Sequence, residues 1–321
     1  MRTRSSNRQL EIKKIFVPLP PEMNQQTLTQ EYKFEGRGLH TGKYAHLTLK
    51  PAPANYGIRF VRTDVGVEIP ALASKVTRTD RSTTIAEGEV SVITIEHLLS
   101  ALTGLGVDNA CIELDNEEVP ILDGSAERYV RAIAPDGLQA QDAERVWIEF
   151  TEAFEVMDEV SGSRVRVEPS NTMSFDVEVD FNSRVLGVQK ARWMEGADYV
   201  GQIAPCRTFV FMHELESLAS KGLVRGGDVD NSIVIVEHPT TREQLDYMSK
   251  FFGQPRLNVT PEGYLSNLKL HFPNECGRHK LLDLIGDMRL LGGFPKAKVS
   301  GYKPGHKINT LAARTAMSKI K

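Results

Sequence analysis

The sequence is short of residues that staple or anchor a chain. It holds three cysteines in 321 residues, Cys111, Cys206 and Cys276. An odd, scattered set supplies neither a disulfide framework nor a Cys-x-x-Cys metal site. No run of 18 apolar residues occurs, so no segment reads as a membrane span. The formal net charge is only −3, which offers no reason to expect nucleic acid or an anionic membrane as the main partner. The N-terminus is basic, but Ile15-Phe16-Val17-Pro18-Leu19-Pro20 is too short and too Pro-rich for a signal-peptide core. Together these absences point to a soluble protein of a reducing cytoplasm. Gly36-Arg37-Gly38-Leu39-His40-Thr41-Gly42 is glycine-rich, yet it lacks the Gly-Lys-Ser/Thr ending and following helix of a phosphate-binding loop. It reads as a tight β connection.

Apolar residues make up 40% of the chain and charged residues 25%, an ordinary globular balance with room for two domains. Residues 1–26 are polar, basic and then Pro-rich, and read as a disordered N-terminal extension; Met23 is a candidate natural start. From 27 onward strand patterns fall at 44–49, 57–62, 91–95 and 110–114. Residues 96–103 are apolar at helical spacing and are stopped by Gly104-Leu105-Gly106. A second helix is expected over 125–133, entered by Asp123-Gly124-Ser125. Pro135-Asp136-Gly137 through Glu144 reads as a linker. Strands are expected again at 146–150, 164–167 and 173–181, a helix at 243–252, the helix carrying His279, and a strand at 296–302. Each half therefore runs strands, a His-bearing apolar helix, a glycine stop and another strand. Glu96-His97-Leu98-Leu99 parallels Arg278-His279-Lys280-Leu281-Leu282. This weak repeat predicts two related α+β domains, 27–143 and 144–321.

The chemistry concentrates on the second of these helices. His279, Asp283 and Asp287 recur at four-residue spacing and share one face, while Leu281, Leu282, Leu284 and Ile285 are apolar. A His and an Asp at i, i+4 can hold two positions around one metal ion. The same pair can also be a surface ion pair worth about 0.3–0.5 kcal/mol, but the apolar flanks argue against full exposure. Glu96-His97 suits a metal hydrolase, the histidine binding the ion and the glutamate taking a proton from water; a first-turn glutamate also simply suits the helix dipole. His97, His279 and Asp283 would make three protein ligands and leave a fourth position for water. His306 reads as a loop histidine among lysines, either solvated or a protonated general acid whose pKa Asp287 raises. Lys280, Lys303 and Lys307 would form a positive rim for a phosphate-bearing substrate. Thr208 adjoins the apolar run Phe209-Val210-Phe211-Met212, and reads either as a satisfied threonine in a buried strand or as a donor to a carbonyl beside an apolar tunnel.

Collinear motifs then resemble a known family. They are Gly36-x-Gly38-Leu39-His40-Thr41-Gly42, Thr94-Ile95-Glu96-His97-Leu98, Gly106-Val107-Asp108-Asn109, Pro120-Ile121-Leu122-Asp123-Gly124-Ser125, Arg207-Thr208-Phe209, Arg278-His279-Lys280-x-x-Asp283-x-Ile285-Gly286-Asp287 and Gly305-His306-x-x-Asn309. In this order they are similar to the UDP-3-O-acyl-N-acetylglucosamine deacetylases, over residues 30–312. The resemblance implies a zinc hydrolase of lipid A synthesis in Gram-negative bacteria, releasing acetate from a UDP-linked, acylated glucosamine. It implies two similar domains, each a mainly antiparallel sheet packed on two helices, with the site between them. It assigns one Zn²⁺ to His97, His279 and Asp283, and the general base to Glu96. Carbonyl polarisation falls to Thr208 with the metal, and oxyanion stabilisation or proton donation to His306 with Asp287. Substrate contacts fall to His40, Lys280, Lys303, Phe209 and Asn309, with an acyl passage over about 209–236. Zinc and ferrous iron both accept this ligand set.

The chain looks most like members fused to a C-terminal hydroxyacyl-carrier-protein dehydratase, so a fused or associated dehydratase is the implied partner. Two other readings stay open: a zinc amidohydrolase acting on another N-acyl sugar, and a catalytically idle zinc scaffold. Structural zinc sites are usually closed by four protein ligands and need neither Glu96 nor His306.

Overall fold

The computed structural model describes residues 24–228, 230–251, 253, 256–266 and 269–320. The expected extension therefore lies outside the described residues except for 24–26, which belong to a strand, Asn24–Leu28. That strand pairs antiparallel with Leu138–Glu144. The stretch read as a linker is thus mostly strand. Its alternation is weak because one face of this two-stranded ribbon is largely exposed.

Alternating burial builds a sheet in each half. In the first, Tyr44–Pro51 and Ile58–Arg62 bury every second side chain. The strand order is Tyr32–Arg37, Tyr44–Pro51, Ala110–Leu114, Ile58–Arg62, Val67–Pro70. In the second it is Phe154–Met157, Arg164–Pro169, Phe294–Tyr302, Ser174–Asp180, Val188–Met194, with a sixth strand, Trp147–Glu149, pairing parallel with the start of Phe294–Tyr302 off that path. The pairing senses match position by position. In both sheets the central strand runs antiparallel to its neighbour on one side and parallel to its neighbour on the other. The repeat suspected from the two His-bearing helices is thus a repeat of topology. The fold is α+β, with mostly antiparallel sheets.

Each half also places one α-helix directly ahead of its central strand and another after it. They are Glu96–Leu105 and Glu127–Ile133 in the first half, and Glu275–Met288 and His306–Met317 in the second. The inner sheet faces and these helices share one hydrophobic core. It joins Leu47, Phe60, Ile112 and Leu98 to Val165, Phe175, Leu281 and Ile285. The Glu96–Leu105 helix is buried on nearly every side, because the Glu275–Met288 helix crosses it closely. Gly286 is what allows the crossing: a β-carbon there would lie 2.0 Å from the Glu96 carbonyl oxygen. Between 209 and 266 lies a smaller unit with its own core of Val210, Leu218, Val234, Leu245, Met248 and Leu265. In it Phe209–Phe211 pairs parallel with Ile233–Ile235, and the expected helix after 242 is Arg242–Phe251. Among the described residues, no helix is long and apolar enough to cross a membrane.

Candidate metal centre and active site

The helix crossing brings His97 to the His279 stripe. One ligand-type atom of each of His97, His279 and Asp283 lies within 4.8 Å of the others, and all three residues are buried. His279 Nε2 is 3.3 Å and His97 Nε2 3.7 Å from the same oxygen, Asp283 Oδ1. His279 Nδ1 lies 3.0 Å from the Cys206 carbonyl oxygen. An Nδ1–H donated there leaves the Nε2 lone pair aimed at Asp283.

The donor set fits a metal ion. Asp283 Oδ1 is buried with no hydrogen-bond partner among the described residues, while Oδ2 accepts from Lys280 Nζ at 2.8 Å. Burial, then the neighbouring His279, push the His97 imidazole down to about 3; burial likewise lowers His279. Burial opposes charge on Asp283, but His279 when protonated, then Lys280 and the His306 imidazole, hold its carboxyl below the usual range. Two neutral imidazoles and an ionised carboxylate are the protonation states that a metal requires.

Glu96 and His306 flank this cluster. Burial raises the Glu96 carboxyl to about 7, against the opposing pull of His306. Burial alone would lower His306, but Glu96 and Asp287 outweigh it and raise the imidazole to about 9. His306 Nε2 is 3.8 Å from Glu96 Oε1, and His306 Nδ1 is 3.1 Å from Asp287 Oδ2. His306 is not the loop residue expected from Pro304-Gly305. It is the first residue of the His306–Met317 helix, with Gly305 extended at the N-cap, and it is 9% exposed. Pro-Gly here marks a helix entry, and the helix backbone fixes the imidazole against Asp287.

The other expected site residues divide. Thr208 and Phe209 are half-buried beside the cluster; Phe209 meets His279 edge-on at 6.4 Å and Lys280 Nζ lies 5.4 Å from its ring. Both also line a cavity of about 70 Å³ with His40, Arg81, Leu215, Leu218 and Val234. The His40 ring is buried in that wall, and among the described residues neither of its nitrogens has a hydrogen-bond partner. Its loop is held from behind by Glu118, which accepts from the backbone N–H groups of His40 and Thr41 and from the Thr41 and Thr94 hydroxyls. Two roomier concavities, of about 610 and 730 Å³, are lined by none of the cluster residues. Asn309 is fully buried behind His306, its amide donating to Asp287 Oδ2 at 2.9 Å. Lys303 Nζ lies 3.5 Å from Asp180, and Lys307 pairs with Asp158.

Sequence reasoning overlooked Thr83. It is fully buried and bonds both Glu96 and Asp287. Its signal in the sequence is the hydroxyl run Ser82-Thr83-Thr84 ahead of the Glu96 helix.

A family model described as UDP-3-O-acyl N-acetylglycosamine deacetylase matches residues 25–252 and 256–318. The chain belongs to this deacetylase family. It is 42% identical over 299 residues to the bifunctional enzyme LpxC/FabZ of Porphyromonas gingivalis, covering 92% of this chain and 65% of that protein. It is 38% identical over 301 residues to the LpxC/FabZ of Bacteroides thetaiotaomicron, covering 93% of this chain and 65% of that one. The chain thus spans less than two thirds of these bifunctional relatives. It is also similar to the UDP-3-O-acyl-N-acetylglucosamine deacetylase of Trichormus variabilis, 36% identical over 312 residues, covering 92% of this chain and 99% of that protein. All the residues of the cluster lie inside the segments matched to the deacetylase family.

Proposed function

We propose that the protein is a metal-dependent amidase that hydrolyses the N-acetyl group of a UDP-3-O-acyl-N-acetylglucosamine and releases acetate, as an early step of lipid A synthesis in the cytoplasm. The observation that carries this reading is the convergence of the three ligand-type atoms with one carboxylate and one imidazole on a single buried point. A structural metal site would need neither of the last two.

His97, His279 and Asp283 would hold the ion, zinc by family expectation. When bound it polarises the acetamide carbonyl and brings water to a nucleophilic state near neutral pH. Glu96 receives the proton of the attacking water, and its raised pKa matches that task. The Thr208 hydroxyl donates to the carbonyl oxygen. His306, kept protonated by its carboxylate neighbours, stabilises the developing oxyanion and protonates the amine as it leaves. Asp287 accepts the Nδ1–H of His306 and so turns Nε2 toward the reaction centre. Lys280 and Lys303 contact the polar end of the substrate, and His40, Phe209 and Asn309 belong to the same binding surface or its support. The cavity behind Phe209, continued by the 209–236 segment, accepts the acyl chain, whose burial contributes roughly 0.8 kcal/mol per CH₂. The domains are taken as 27–143 and 144–321, with a hydroxyacyl-carrier-protein dehydratase as fused or associated partner.

The test is acetate release together with metal content, on wild type, His279→Ala and Glu96→Gln. The expected result is one metal ion per wild-type chain, loss of metal and turnover in His279→Ala, and retained metal with turnover reduced about 10²–10⁴-fold in Glu96→Gln. Metal without acetate release in the wild type would overturn the substrate assignment. Normal turnover in Glu96→Gln would overturn the base assignment.

A further inference from the structure

Thr83 touches both halves of the proton-transfer machinery at once. Its backbone N–H donates to Glu96 Oε2 at 3.0 Å, and its hydroxyl donates to Asp287 Oδ1 at 2.5 Å. The two carboxylates come from different halves of the chain, and Asp287 is 204 residues from Thr83. Thr83 is itself pinned, because its carbonyl accepts the Thr94 backbone N–H at 3.1 Å, at the entry to the Glu96 helix. It uses the rear oxygen of each carboxylate. The forward oxygens face His306: Glu96 Oε1 lies 3.8 Å from its Nε2, and Asp287 Oδ2 lies 3.1 Å from its Nδ1.

A carboxylate is a rotor with two equivalent oxygens and only acceptor capacity. A short bond from a neutral hydroxyl to one oxygen fixes the rotor, and a bond to a charged acceptor is among the stronger ones. Asn309 also donates to Asp287 Oδ2, at 2.9 Å, but Thr83 bonds both carboxylates and so ties the setting of one to that of the other. We propose that Thr83 is a positioning residue that holds the base carboxylate and the carboxylate behind the acid imidazole as one aligned unit. This rests on the reading of Glu96 and His306 as base and acid.

Thr83→Val keeps the shape and the backbone N–H but deletes the hydroxyl; Thr83→Ser keeps the hydroxyl. Thr83→Val is expected to lower kcat about 10–100-fold, with KM within about twofold and metal content unchanged. Thr83→Ser is expected to stay within about threefold of wild type. In a His306→Ala background the valine substitution should cost less than about threefold, because the imidazole it serves through Asp287 is gone. A merely structural role would instead lower the melting temperature and metal content, and would persist in that background. One readout needs no turnover. The downfield proton resonance of His306 Nδ1–H, identified by its loss in His306→Ala, should move in Thr83→Val and stay in place in Thr83→Ser. If the wild type releases no acetate, the substrate assignment falls while this readout still tests Thr83. Wild-type kcat in Thr83→Val, an equal loss in Thr83→Ser, or an unmoved resonance would overturn the proposal. Should the valine variant not fold, Thr83→Ala against Thr83→Ser carries the same comparison.

Discussion

Replacing Gly286 by alanine should dismantle the proposed metal site without touching any of its proposed ligands. The new β-carbon would lie 2.0 Å from the Glu96 carbonyl oxygen, 2.9 Å from its carbonyl carbon and 3.1 Å from the Ser100 nitrogen. All three are backbone atoms, so no rotamer change relieves the clash. Ordinary contact begins near 3.4 Å, and the shortfall is 3.4 − 2.0 = 1.4 Å, so the two helices must part by about that much. His97 follows Glu96 directly on one helix, and His279 and Asp283 precede Gly286 on the other. Metal–ligand distances tolerate roughly 0.2 Å, well below this separation. Loss of metal affinity should therefore exceed the roughly 10–100-fold seen when an outer hydrogen-bond partner is removed. Overpacking of this kind costs about 1–3 kcal/mol, so the variant should stay folded with a melting temperature lower by several degrees. Metal affinity would be measured by competition with a chelator and folding by circular dichroism. A Gly286→Ala protein that binds metal within about threefold of wild-type affinity would refute the helix contact on which the site is built.

Other outcomes follow from the same geometry. The profile of kcat/KM against pH should be a bell: Glu96 must be ionised, which its raised pKa delays to about 7, and His306 must stay protonated, which it does up to about 9. A bound dication disfavours the Glu96 proton and draws the acid limb lower. His306→Gln should lose the alkaline limb and keep the acid one, and a flat profile between pH 5 and 10 would contradict both roles. Chelation should lower the melting temperature, because an ion at 100 times its Kd adds about 2.7 kcal/mol; that shift should be absent in His279→Ala, and an equal shift there would show that the ion sits elsewhere. Arg145 is buried against Asp108 at 2.7 Å, with its guanidinium 4.3 Å from the Phe294 ring centroid. Arg145→Ala leaves the buried Asp108 carboxylate without its ion-pair partner, although the Gln26 backbone N–H still donates to it, and should cost about 3–5 kcal/mol in denaturant unfolding; a loss under 1 kcal/mol would be inconsistent with that pair.

The parts of the site that were legible in the sequence are those set by helix geometry. His279, Asp283 and Asp287 announce a shared face through their spacing alone, and the apolar residues between them announce that the face is buried. The repeat was legible for the same reason, since each half repeats a short apolar pattern around one histidine. What escaped was set by contacts between distant segments. Nothing in Ser82-Thr83-Thr84 points to a carboxylate 204 residues away. The strand at 138–144 was hidden because Pro135-Asp136-Gly137 precedes it and its polar residues lie on a ribbon edge, where its partner, Asn24–Leu28, supplies the order. His306 was misplaced because Pro304-Gly305 suggests a turn, whereas here the pair leads into a helix.

The first half of the chain supplies one ligand-type residue, and the second supplies two. An ion held in the proposed way would clasp two similarly built halves, so that its occupancy and their docking would form a single equilibrium. Any change that loosens the crossing of the Glu96–Leu105 and Glu275–Met288 helices would then weaken the hold on such an ion. By reciprocity, the ion must resist that loosening by the same free energy. Scarcity of metal would then act on this protein as a mechanical perturbation as much as a chemical one, felt along the whole seam between the halves.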